Sequence, residues 1–161
     1  MFDRIRRRFG RPRIEPIRVG GEIDDTCAVL TMIARYHGRE VEPDDVDHFL
    51  SQVAEHPELD RSALDLINAA AELGLFASAL QLEHPMGFLQ LTYPCVAHVV
   101  AGADRGPAFV VIEAMTGHQL SIIDPYSTRS VEPIASFYPR SSGVVIVFEP
   151  GQQLPPAVLR R

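Results

Sequence analysis

Cys27 is the residue of this chain best placed for nucleophilic chemistry. It stands in Ile23-Asp24-Asp25-Thr26-Cys27-Ala28-Val29-Leu30-Thr31-Met32-Ile33-Ala34-Arg35-Tyr36-His37-Gly38. Acidic and hydroxyl residues lead, apolar residues recur at helical spacing, and Gly38 supplies a stop. The stretch therefore reads as a helix with the cysteine in its first turn. The positive end of a helix dipole stabilises a thiolate, the nucleophilic form. Glu22, Asp24 and Asp25 work against this, because neighbouring negative charge holds the proton on sulfur. A thiol also needs a base, and His98 sits on a strand led by Pro94. If His98 pairs with Ala108 on the neighbouring strand, its imidazole reaches toward Cys27; if Val99 pairs with Ala108, it points to the other face. Both registers are open at this point. Asp124, in Asp124-Pro125 at a strand end, either orients a base or caps a turn. Without partners, Cys27 is a small buried residue and His98 a half-buried strand histidine.

The elements that must position these groups change period along the chain. After the Cys27 helix, Glu42-Pro43-Asp44-Asp45 opens a second helix with an apolar stripe at Val46, Phe49, Leu50 and Val53. Leu59-Asp60-Arg61-Ser62 opens a third, buried along Ala63, Leu66, Ile67, Ala70 and Leu73 and ended by Gly74. Strands are expected at Phe76–Leu82, Cys95–Val100, Phe109–Ala114, Gln119–Ile123 and Gly143–Phe148. Short helical turns are expected at Pro85–Leu91 and Ile134–Tyr138, and a loop at Ala101–Pro107. Helices first and an antiparallel sheet second make an α+β arrangement.

The chain falls into a basic arm at 1–18, one domain at 19–150 and a tail at 151–161. The arm holds seven arginines against Asp3 and Glu15, so the rest carries −11 of the overall −6. An acidic body argues against nucleic acid as the main partner. Phe2, Ile5 and Phe9 among the arginines suit an anionic membrane surface or an acidic partner, and a tail folded back on the body is the plainer reading. Two cysteines, no apolar run of membrane-spanning length and no secretory signal point to the cytoplasm. No histidine pair has metal-ligand spacing with a cysteine, and no phosphate-binding glycine loop is present, so no cofactor or metal is expected.

Four pieces in order carry a resemblance. They are the Cys27 helix; Ser62-Ala63-Leu64 through Ala69-Ala70-Ala71-Glu72-Leu73-Gly74-Leu75; Tyr93-Pro94-Cys95-Val96-Ala97-His98; and Phe109-Val110-Val111-Ile112 leading to Ile123-Asp124-Pro125-Tyr126. Over Val19 to Pro150 the chain resembles the bacteriocin-processing cysteine peptidases, papain-like domains of ABC exporters that cut double-glycine leader peptides. The resemblance implies N-terminal helices packed on a C-terminal antiparallel sheet. It implies a thiolate nucleophile, a histidine base, an orienting carboxylate and a glutamine at the oxyanion. It places Cys27 at the nucleophile and Asp124 at the carboxylate. The histidine should stand directly before Phe109, where the chain has Ala108, and no glutamine lies near Gly21. Losing a triad base commonly costs several orders of magnitude in rate.

The expectation is therefore a catalytically degenerate peptidase-like domain that binds a peptide or protein partner, such as a leader peptide or an exporter component. The alternative is an active cysteine peptidase with Cys27 as nucleophile and His98 as a non-standard base.

Overall fold

The computed structural model of the chain describes residues 13–100 and 106–150. Most of the basic arm, residues 101–105 of the expected loop and the tail from 151 fall outside the described residues. Three helices come first: α1 (Asp25–Tyr36), α2 (Pro43–Val53) and α3 (Ala63–Glu72). Strands β1 (Leu75–Gln81), β2 (Cys95–Val99), β3 (Ala108–Thr116), β4 (Gln119–Ile123), β5 (Arg129–Pro133) and β6 (Ser141–Pro150) follow. A 3₁₀ turn at Pro85–Gln90 precedes β2, and a short α4 (Ile134–Phe137) precedes β6.

Helix α1 is central. Every residue from Thr26 to Ala34 is buried, the signature of a helix packed on all sides. Its start is fixed by Asp24, whose Oδ1 accepts from the Cys27 N–H at 2.8 Å and from the Thr26 hydroxyl at 2.7 Å. Buried Thr31 satisfies its hydroxyl by donating to the Cys27 carbonyl at 2.7 Å. Reciprocal capping boxes start the other two helices, Glu42 with Asp45 on α2 and Ser62 with Asp65 on α3. Arg39, just beyond α1, donates to the carbonyls of Leu73 at 2.9 Å and Gly74 at 3.2 Å, tying the exit of α1 to the end of α3.

The six strands form one antiparallel sheet in the order β1-β6-β2-β3-β4-β5. Alternation splits its residues between two cores. Val96, Phe109, Val111, Ile123 and Ile146 pack under the helices. Ala97, Val110, Ile112, Leu120 and Val145 pack on the opposite face, against Phe88 of the 3₁₀ turn and Phe137 of α4. The α+β arrangement with helices on an antiparallel sheet is the one expected.

Two features differ from the sequence reading. Strand β5 carries no apolar alternation, because it is an edge strand with Val131 66% exposed. Residues 13–18, read as the end of an arm, run against the domain. Ile14 is buried, its N–H donates to Glu113 Oε1 at 3.1 Å, and its carbonyl accepts from Arg129 Nη2. Arg129 Nε reaches Glu113 Oε2 at 2.9 Å, and Glu113 is only 10% exposed. One carboxylate and one guanidinium thus hold the lead-in segment to the sheet.

Three outcomes follow for stability. Arg129→Ala leaves Glu113 and the Ile14 carbonyl short of a charged donor and lowers unfolding free energy by about 1.5–3 kcal/mol in urea titrations. Gly143 has φ +82°, and an added Cβ would stand 2.5 Å from Gln81 Nε2 and 2.7 Å from the Leu82 carbonyl. Gly143→Ala costs about 2–4 kcal/mol by the same measurement. Gly117→Ala, at φ +64° in open space, costs about 1–2 kcal/mol.

Candidate active site at the seam of helix and sheet

Residues on an α-helix turn by about 100° each, so two residues two positions apart face nearly opposite ways. This decides what the start of α1 presents to the sheet. Asp25 Oδ2 accepts from the Phe109 N–H at 2.7 Å, which aims Asp25 at the front of β3. Cys27 is accordingly turned away. Its Sγ donates to the Pro43 carbonyl at the first residue of α2, at 3.1 Å, and the residue is fully buried.

The electrostatics of the two groups follow from these positions. Burial pushes the Cys27 thiol up to about 11; the Thr31 hydroxyl opposes the shift, Asp24 and Asp47 add to it, and Arg61 draws it down. Arg61 is held beside the sulfur by Asp47 at 2.8 Å and Asp24 at 3.4 Å, so its charge is largely answered before it reaches the thiol. Burial also raises the Asp25 carboxyl; the Phe109 N–H lowers it, and Asp24 raises it further. The second cysteine, Cys95, lies in the core of the opposite sheet face, and burial pushes its thiol up to about 12.

The register between β2 and β3 is the second of the two open at the sequence level. Val99 stands opposite Ala108, and His98 stands opposite Phe109. Contrary to the expectation for that register, His98 lies on the helix-covered face with Phe109, their rings 5.0 Å apart, because it is Phe109 and not Ala108 that faces the helices. The imidazole Nδ1 lies 3.0 Å from Ser142 Oγ. Burial lowers the affinity of the ring for a proton, and the Asp25 carboxylate acts in the opposite direction. Asp124 follows Ile123, which pairs with Val111, so it sits one strand beyond β3 from His98. Its Oδ1 accepts from the Tyr126 N–H at 2.9 Å in the turn after β4.

Cys27, His98 and Asp124 thus occupy three separate places: a thiol against α2, an imidazole against β6 and a carboxylate at a turn. At the seam His98 meets Ser142, and Asp25 is fixed on the N–H of Phe109, the residue opposite His98. The signal for Asp25 was in the helix phase, since Asp25, Val29, Met32 and Ile33 fall on one side of α1 and Cys27, Leu30, Thr31 and Ala34 on another. Ser142 carried no signal, because its role depends on which strand β6 joins. Among the described residues, no group of three or more His, Cys, Asp or Glu is placed to hold a metal ion, and no helix is long and apolar enough to cross a membrane.

Comparison with known proteins finds the same architecture elsewhere. A double-glycine motif protease from an AMS/PCAT transporter, solved with its leader peptide, is 24% identical with a TM-score of 0.69, over 87% of this chain and 95% of that one. The peptidase domain of Streptococcus ComA, a bifunctional ABC transporter involved in quorum sensing, is 23% identical with a TM-score of 0.70, over 85% of this chain and 98% of that one. The N-terminal peptidase C39-like domain of a toxin secretion ATP-binding protein from Vibrio parahaemolyticus is 15% identical with a TM-score of 0.58, over 79% and 97%. No curated protein matches the sequence. The profile of the Peptidase C39 family matches residues 14–153, starting at the buried Ile14, and the chain belongs to that family.

Proposed function

We propose that this domain binds a leader peptide of the double-glycine kind, or an equivalent extended segment, without cutting it through Cys27. It would act on the cytoplasmic side beside an exporter. The observation that carries the reading is the turn of α1. The sulfur donates to the Pro43 carbonyl, while a carboxylate, Asp25, faces the sheet. Alanine at position 108 supports it further, since the resemblance calls for a base there. The fold shared with a protease solved on its leader peptide supports a peptide as the ligand. In such a cleft an extended chain is held by main-chain hydrogen bonds and side-chain pockets, and neither requires a thiolate.

The acidic body and the arginines of the arm, residues 1–18, set which partner approaches. An exporter surface or an anionic membrane surface fits the arm, and nucleic acid does not fit the body.

Two measurements test this. A synthetic double-glycine leader peptide gives a saturable binding isotherm with the purified chain and is recovered uncut by mass spectrometry. Turnover after the Gly-Gly pair that disappears in Cys27→Ala would overturn the reading in favour of a cysteine peptidase. Iodoacetamide labelling, mapped to the Cys27 peptide, reports the thiol directly. With burial pushing the thiol up to about 11, its thiolate fraction at neutral pH is about 100-fold below that of an unshifted cysteine. The labelling rate climbs steadily with pH, and a plateau reached by pH 8 would show an activated thiol instead.

A further inference from the structure

We propose that Ser142 is an acyl-accepting nucleophile served by His98, with carboxylic esters as its substrate class. The site does not depend on the peptide-binding reading and uses no cysteine. A hydroxyl nucleophile is recognised by a base within hydrogen-bond reach and a third group acting on that base. Ser142 Oγ lies 3.0 Å from His98 Nδ1, and its other acceptor, the His98 carbonyl, is farther at 3.4 Å. The Val144 N–H donates to Ser142 Oγ at 3.2 Å, so the oxygen has a fixed donor on one side and the imidazole on the other. That donor orients the hydroxyl so that its proton is free to face the imidazole.

The third group is Asp25. Its carboxylate is fixed by the N–H of Phe109, the residue directly opposite His98, and it acts electrostatically on the ring. Burial favours the neutral imidazole, the form able to accept a proton. Phe109, buried in the core under the helices, braces the imidazole with its ring 5.0 Å away. Ser142 and His98 are only partly buried. Ser142 precedes Gly143, whose positive φ turns the chain immediately after the hydroxyl.

The step balances within these groups and water. The Ser142 Oγ–H bond breaks, its proton passes to His98 Nδ1, and Oγ bonds to the ester carbonyl carbon. The C–O bond to the alcohol then breaks, and the departing oxygen takes the proton from His98. Water attacks the acyl-serine, its proton passing through His98 to Ser142 Oγ, and a carboxylic acid leaves.

A fluorophosphonate probe tests this on the full chain without any peptide. The expected result is a single adduct on Ser142 by peptide mapping. It is abolished in Ser142→Ala and slowed roughly a hundred-fold in His98→Gln, the scale of a general base. Circular dichroism confirms that both variants are folded, and His98→Asn replaces His98→Gln if the latter is not. Absence of a wild-type adduct at Ser142 overturns the proposal whatever the variants do. So does labelling at an unchanged rate in a folded His98 variant. Leader-peptide titration is a separate readout, so failure of the labelling and failure of peptide binding are told apart.

Discussion

Helix α1 has no free side. Its residues are buried from Thr26 to Ala34, and its start is tied both to its own cap and to the sheet. A helix held in this way cannot rotate to show another residue. Turning Cys27 toward β3 would pull Asp25 off the Phe109 N–H and drive buried apolar side chains out of contact. The rotational setting of one helix therefore decides which functional group faces the sheet. Everything else about the seam follows from that setting.

The charges around the helix start are consistent with a protonated thiol. Asp24 and Asp47 share Arg61 on the α2 side, and Asp25 takes a backbone donor on the sheet side. These carboxylates stabilise the positive end of the helix, the role a thiolate would otherwise share. The sulfur, given a carbonyl as its neighbour, is most stable as a donor. The imidazole, for its part, is placed against β6 by the strand order, because β2 lies between β6 and β3. A histidine at position 98 thus meets whatever β6 brings to that height, and β6 brings Ser142.

The helices were legible because their signals are local. Asp24, Ser62 and Glu42 announce the starts, and Gly38 and Gly74 mark the ends, each within a few residues of what it controls. The central strands were legible from β-branched runs such as Phe109-Val110-Val111-Ile112. Strand β5 was not, since an exposed edge asks only for pairing and leaves the side chains unconstrained. The site was the least legible part. Placing Cys27 in the first turn was right, but choosing the residue that faces the sheet needed the helix phase to be followed from the buried side chains back to Asp25. The His98 register turned on a single residue of offset, which pattern alone does not determine. Ile14 looked like part of the arm because its partners, Glu113 and Arg129, lie about a hundred residues away.

The Ile14 clamp bears on the order in which the molecule is built. The bonds joining Ile14 to Glu113 and Arg129 span 99 and 115 positions. A growing polypeptide makes Ile14 99 residues before Glu113 and 115 residues before Arg129. Closing so long a loop is slow, and its entropy is repaid only once β3, β4 and β5 stand side by side. A segment made well ahead of its partners is thus among the last to be locked. Until then an apolar residue and the front of the helical core stay open to solvent and to chaperones.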